Sequence, residues 1–230
     1  MAKAIFNWSG GKDSALALYK IQIEKKIEVS SLLTTLNKKN KRVSGHGIRE
    51  SMLDLQSKNM SIPINKIFLP EDVSNETYEK MMKEYWEKKK NEGINYCISG
   101  DIFLEDVKEY REKQLSMMDI QSVFPLWKMN SNDVLKEFID LGFKSIVVCI
   151  NEKYLDSSFV GRIIDADFVA DLPPNIDPCG ENGEYHSFVF DGPIFKKPVD
   201  FKVNDKIYIF KEYKEHNYSG GFWNIELTEI

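Results

Sequence analysis

Cysteine is scarce in this chain of 230 residues: Cys97, Cys149 and Cys179, an odd number and far apart. Neither a disulfide framework nor a Cys-x-x-Cys zinc site can be drawn from them, and reduced thiols make the cytoplasm the expected location. Long hydrophobic runs are also missing. No stretch approaches the ~18 apolar residues of a membrane span, and the opening apolar segment, Ala4 to Trp8, is too short for a secretory leader. Positive charge is not in excess either: 31 Lys and Arg against 36 Asp and Glu leave a net charge of -5, which argues against a protein that coats nucleic acid. The basic clusters Lys38 to Arg42 and Lys88 to Lys90 are short and read as solvated surface. Internal repeats and low-complexity tracts are absent.

What is present suits one domain with a smaller appendage, since 42% of residues are apolar. Ala4 to Trp8 reads as a strand, Ser9 to Ser14 as a glycine turn, and Ala15 to Ile21 as the start of a helix. The alternation continues with strands near 29–35, 66–69, 96–99 and 121–124 and helices near 49–58, 75–90 and 106–115. Tyr78, Met82 and Tyr85 form one apolar stripe on the longest helix. Ser131 is the expected cap of a further helix, Gly142 its stop, and 145–150 a wholly buried strand. Such alternation predicts an α/β, Rossmann-like fold: a parallel sheet of five or more strands with helices on both faces. After about residue 150, prolines, glycines and short alternating runs such as 187–190 and 206–210 indicate a smaller, loop-rich, partly β region. The expected division is 1–127 for nucleotide binding and 128–230 for the substrate side.

Ser9-Gly10-Gly11-Lys12-Asp13-Ser14 lies where the first strand of an open sheet meets its helix, a place where backbone N–H groups and the helix dipole hold phosphate. Gly10 and Gly11 admit close approach of a ligand, Lys12 supplies a mobile cation, Ser9 and Ser14 add donors, and Asp13 could hold Mg2+ or fix the loop. A Walker A loop is excluded, because the residue five before Gly11 is Phe6 and the residue after Lys12 is Asp13. A Gly-x-Gly-x-x-Gly dinucleotide turn is missing as well.

The hexapeptide closely resembles the PP-loop of the ATP pyrophosphatases, of the adenine nucleotide α-hydrolase-like fold. Ser99-Gly100-Asp101-Ile102, Arg111, Phe124-Pro125-Leu126-Trp127, Leu141-Gly142, Cys179 to His186 and Asp191-Gly192-Pro193 further resemble the diphthine-ammonia ligase family, over about residues 4–197. That resemblance implies adenylation of a carboxylate by ATP with loss of pyrophosphate, followed by attack of ammonium and release of AMP. The acceptor it implies is diphthine, a modified histidine of elongation factor 2. Two departures are similar to bacterial relatives: the family's Glu-Gly-Gly-Glu stands here as Glu181-Asn182-Gly183-Glu184, and His46-Gly47-Ile48-Arg49 differs from archaeal and eukaryotic members. In a bacterium the amidated carboxylate would belong to another molecule.

Roles follow from the chemistry of a carboxylate, a poor electrophile until its oxygen becomes a leaving group. Lys12 and Mg2+ would stabilise phosphate charge, and Arg49 or Arg111 could grip the substrate carboxylate or serve as a plain surface ion pair. Thr34, Thr35, Ser99, Gly100 and Asp101 lie at carboxyl ends of predicted strands, where adenosine would bind, though Thr34 and Thr35 also read as ordinary strand formers. Glu181, Glu184 and His186 share a glycine-bearing loop suited to binding ammonium, taking its proton, or completing a Mg2+ shell. Cys149 and Cys97 read as core, and only Cys179 lies in a plausible site loop. Two rival readings remain at this level: a PP-loop enzyme that modifies tRNA, disfavoured by the lack of a close cysteine pair, and a non-catalytic nucleotide-binding regulator. A homo-oligomer is compatible with the sequence.

Overall fold

The computed structural model describes residues 1–43, 47–71, 73–213 and 218–230, so His46 lies outside the described residues. Its first half alternates strand and helix: β1 (Ala2–Asn7), α1 (Lys12–Glu24), β2 (Ile27–Asn37), α2 (Glu50–Met60), β3 (Ile64–Leu69), α3 (Asn75–Asn91), β4 (Ile94–Ile98), α4 (Glu105–Ser116) and β5 (Gln121–Val123). The strands form a five-stranded sheet in the order β3-β2-β1-β4-β5, and every pairing is parallel. Burial on both faces explains the near-continuous apolar strands. In β1, Ala4 and Phe6 join one core with Leu16, Leu32 and Met52. Ile5, between them, points into a second core with Leu33, Trp86, Cys97 and Leu115. The expected stripe of α3, Tyr78, Met82 and Tyr85, packs against this second core.

The chain continues with α5 (Ser131–Asp140), β6 (Lys144–Asn151), α6 (Ala166–Asp171), β7 (Tyr185–Asp191), β8 (Lys202–Tyr213) and β9 (Tyr218–Thr228). Asn130, one residue before the expected Ser131, caps α5 by accepting from the Asn132 amide at 2.9 Å. Alternation alone would carry the parallel sheet on through 144–151, but β6 pairs antiparallel with both β7 and β9. Its burial was readable from Ile-Val-Val-Cys-Ile; its partners were not, because they come from the irregular last third of the chain. The second sheet runs β7-β6-β9-β8. β9 escaped the sequence reading because Gly220 and Gly221 interrupt its alternation.

The two sheets are joined at the turn after β1. Gln56 of α2, fully buried, donates to the carbonyls of Gly10 (3.0 Å) and Val189 (2.6 Å) and accepts from the Trp8 indole at 2.8 Å. Val189 of β7 donates from its amide to the Gly10 carbonyl at 2.9 Å. A leucine at position 56 fills similar space but leaves the indole N–H and the Val189 carbonyl without this partner, and an unmade buried hydrogen bond costs ~1–3 kcal/mol. Gln56→Leu is therefore expected to lower unfolding stability by about that amount, read from urea midpoints at constant m-value.

Candidate active site

In a sheet of this order the chain leaves β1 in one direction and re-enters on its other side at β4, so a crevice opens beyond the carboxyl ends of these two strands. A cavity of about 400 Å3 occupies that position, within the range of small-molecule sites. Its walls include Ser9, Gly11, Lys12, Asp13, Ser14, Thr34, Thr35, Ser99, Gly100, Asp101, Arg111, Glu181 and His186, most of the residues singled out from sequence.

The turn is built from its own side chains. The Gly11 amide donates to Ser9 Oγ (3.3 Å), Ser9 and Ser14 hydroxyls lie 3.0 Å apart, and Ser14 Oγ donates to the Gly11 carbonyl (2.9 Å). Gly10 takes a left-handed φ of 84° and would place a Cβ 3.0 Å from Leu53, so it forms the back of the loop rather than the cavity wall. Gly11 has no side chain to cap α1, and although Ser187 Oγ takes the Lys12 amide, the dipole end of the helix still faces the cavity, where it would favour an anion. The β4 side comes equally close: a Cβ on Gly100 would sit 3.0 Å from the Asp13 backbone. Asn7 ties the two strand ends together by donating to Ser99 Oγ at 2.8 Å.

Lys12 corrects the picture of a mobile cation. It is 4% exposed, its Nζ lies 2.8 Å from Asp13 Oδ2, it donates to the Cys179 carbonyl, and it stands 5.0 Å from the centre of the Tyr185 ring. Burial alone would lower its pKa, but Asp13, backed by Tyr185 and Cys179, outweighs that and holds the ammonium well above its usual value. Burial pushes the Asp13 carboxyl up while Lys12 pulls it partly back, and Asp13 Oδ1 is buried with no protein partner. An orphaned carboxylate oxygen beside the start of a helix fits a divalent cation shared with phosphates. Among the described residues no three His, Cys, Asp or Glu side chains converge to hold a metal on their own; Mg2+ commonly takes only one or two carboxylates when phosphates supply the rest.

Thr34 and Thr35 face the cavity because β1 ends at Asn7, opposite Leu33, whereas β2 runs on to Asn37 against β3. Glu181 accepts weakly from the Ile102 amide (3.3 Å), and burial, reinforced by the charge of Asp13, raises its carboxyl to about 7. Arg111 of α4 stands 3.2 Å from Asp101 through Nε, too poorly angled for a hydrogen bond. His186 lines the cavity and sits opposite Cys149 in the β6–β7 register.

Besides Gly10, two expected site residues lie off the cavity wall. Glu184 is 2% exposed and turned into its own loop, accepting from the Asp177 amide (3.2 Å), the Asn182 amide (2.9 Å) and Asn182 Nδ2 (3.1 Å). It shapes the loop, and Asn182, the departure from glycine, is one of its partners. Arg49 does not reach the cavity: with Arg42 it holds Glu226 of β9, its Nε 2.8 Å from Oε1. Three contributors were missed. Asp177 accepts from the Glu181 amide at 2.9 Å, Ser187 Oγ accepts from the Lys12 amide at 3.2 Å, and Tyr185 covers Lys12 while donating to the Pro178 carbonyl at 2.5 Å. Asp177 before Pro178 reads locally as a turn, and alternation along β7 marked burial without saying what it buries against.

The raised carboxyl of Glu181 fixes the sign of a pH effect. Its folded pKa of about 7 lies above the unfolded value of ~4.3, so the folded protein binds more protons between them and stability falls as pH rises through that window. Urea midpoints should drop more between pH 5 and pH 8 in the parent protein than in Glu181→Gln, where the Glu181 contribution is gone.

Residues 2–121 match the model of the diphthamide synthase N-terminal domain and residues 130–228 that of the diphthamide synthase C-terminal domain. Similar curated proteins are diphthine–ammonia ligases from Bos taurus (30% identity over 134 residues, 56% of this chain and 48% of the relative) and Homo sapiens (29%, same coverage). A third, from Rattus norvegicus, is 27% identical over 142 residues, 59% of this chain and 51% of the relative. The chain thus spans about half the length of the curated relatives it matches. Among solved structures, the U34-tRNA thiolase NcsA from Methanococcus maripaludis aligns with a TM-score of 0.39 at 20% identity over 61% of this chain and 57% of that one, too distant to carry an argument. With both of its halves matched in order, the chain belongs to the diphthamide synthase family.

Proposed function

We propose that the protein is an ATP-dependent carboxylate–ammonia ligase of the cytoplasm, acting with Mg2+ on the diphthine carboxylate of elongation factor 2. The observation that carries this reading is the placement of the buried Lys12 with its partner Asp13, the start of α1 and Glu181 around one cavity at the strand crossover of a diphthamide synthase family chain. ATP would supply the adenylate that turns a carboxylate oxygen into a leaving group.

The chain's own residues then divide the work. Ser9 to Ser14 hold the phosphates, with the α1 dipole and Lys12 stabilising charge on the departing pyrophosphate. Asp13, with its unpartnered Oδ1, would hold the cation. Thr34, Thr35, Ser99 and Gly100 border the nucleoside. Arg111 has its guanidinium fork available for a carboxylate, which makes it the better substrate anchor now that Arg49 is committed to Glu226. Glu181, half-protonated near neutral pH, is suited to take a proton from ammonium as it attacks. Sulfur transfer to tRNA is the weaker reading: Cys97, Cys149 and Cys179 are all buried, and burial drives the thiol of Cys97 up to about 12 and that of Cys179 higher still, away from reactive thiolate.

Incubation with ATP, Mg2+, ammonium and diphthine-bearing elongation factor 2 should yield AMP and an amidated peptide, read by chromatography and mass spectrometry. Lys12→Ala should cut AMP formation by ~100-fold or more, as loss of a preorganised charge at a reacting phosphate does. Unchanged AMP output in that variant removes the phosphate-loop assignment. Nucleotide binding with no pyrophosphate released under any acceptor marks a regulator instead.

A further inference from the structure

β8 is an edge strand of the second sheet and, among the described residues, pairs with β9 alone. It contributes no residue to the cavity. Its centre is an apolar run: Ile207, Tyr208, Ile209 and Phe210, with Val203 before them, are between 40% and 56% exposed. A long apolar edge is a template for a further strand, and edges that must stay single are blunted by charge, proline or a bulge. Here the register shift of the β8–β9 pairing lies between Val203 and Lys206, ahead of the run, and neither a charge nor a proline interrupts 207–210.

Which backbone groups face outward follows from β9. The Glu152 amide donates to the Gly221 carbonyl at 3.0 Å, so Gly221 turns its peptide groups toward β6. Along an antiparallel strand these groups alternate in direction. Phe210, opposite Gly221, therefore turns its N–H and C=O to the free edge, as does Tyr208, while Ile207 and Ile209 turn theirs to β9. Two copies of β8 can then join antiparallel only where outward residues meet outward residues, which places the two-fold axis on a residue and not between two.

Charge and shape choose the residue. An axis on Asp205 or Lys206 sets like charges face to face, and an axis on Tyr208 sets Phe210 opposite Lys206. With the axis on Ile209, Tyr208 of each copy lies opposite Phe210 of the other, a favourable aromatic pair whose free N–H and C=O groups are exchanged. The exposed side chains carry on the order of 450 Å2 of apolar surface per copy, so a pair brings together close to the ~1,000 Å2 at which specific interfaces begin.

We propose that β8 is a dimerisation edge whose partner is β8 of a second copy, joined antiparallel about Ile209 into one sheet that runs through both copies. This pairing is independent of the ligase reading. Sedimentation velocity on the full chain between about 1 and about 100 μM should show a monomer passing to twice its mass. Phe210→Pro removes only an outward N–H, which an edge strand tolerates, and should keep the protein monomeric over that range with an unchanged far-UV spectrum. Cysteines at the axis read the register: residues paired without mutual hydrogen bonds stand ~4.5 Å apart at Cα, which suits a disulfide. The three native cysteines are buried. Air oxidation should link Ile209→Cys into a covalent dimer and leave Ile207→Cys, which meets position 211 of the other copy, unlinked. A parent protein that stays monomeric overturns the pairing and leaves the edge to a strand from a different protein. A Phe210→Pro protein that folds and still dimerises also overturns it, as does Ile207→Cys linking as readily as Ile209→Cys. If Phe210→Pro fails to fold, the two cysteine variants decide.

Discussion

One ion pair with a buried ammonium, Lys12 with the partly buried Asp13, constrains the surroundings of the cavity. Removing an ammonium and a carboxylate from water costs several kcal/mol per ion, and mutual attraction offsets this only when the remaining hydrogen-bonding groups are met. Lys12 meets the condition with Asp13, the Cys179 carbonyl and the Tyr185 ring. Asp13 does not, since one of its oxygens is orphaned. The pair is therefore satisfied on its cationic side and left with an unpartnered oxygen on its anionic side. The surrounding glycines make the close packing around it possible: Gly100 lets β4 approach the Asp13 backbone, and Gly180, with φ of 70°, lets the 177–184 loop fold over Tyr185.

A division of labour between neighbouring carboxylates emerges from the same loop. Glu184 receives three donors and is fixed; Glu181, three residues earlier, receives one long bond and lies near the charge of Asp13, which keeps it close to its titration midpoint at neutral pH. Identical side chains thus take different roles: Glu184 is held by its three donors, whereas burial, reinforced by the charge of Asp13, raises the Glu181 carboxyl.

The parallel sheet and the glycine turn at 9–14 were legible because both are local. Strand, glycine turn and helix succeed one another within twenty residues, and each strand's burial is written in its own composition. The carboxyl-end residues Thr34, Thr35, Ser99 and Asp101 followed from that topology. What was not legible depends on contacts between distant segments: the antiparallel partners of β6, the attachment of Arg49 to Glu226, the inward turn of Glu184, and the part played by Asp177, Tyr185 and Ser187. Lys12 was found by its motif, but its immobility comes from Cys179 and Tyr185, more than 160 positions away in the chain. The part of the cavity wall formed by α3 showed only as an apolar stripe, because a helical stripe that packs on a sheet and one that also lines a cavity have the same spacing.

The bonds from Val189 to Gly10 and from Lys12 to Ser187 carry one more consequence. The turn at 9–14 follows β1 directly, yet its geometry is closed by a strand that begins at residue 185. Contacts of such long sequence separation form late in folding. The parallel sheet can assemble from its local crossovers first, but the turn at 9–14 takes its final geometry only when β7, 175 positions further along the chain at Ser187, docks against it.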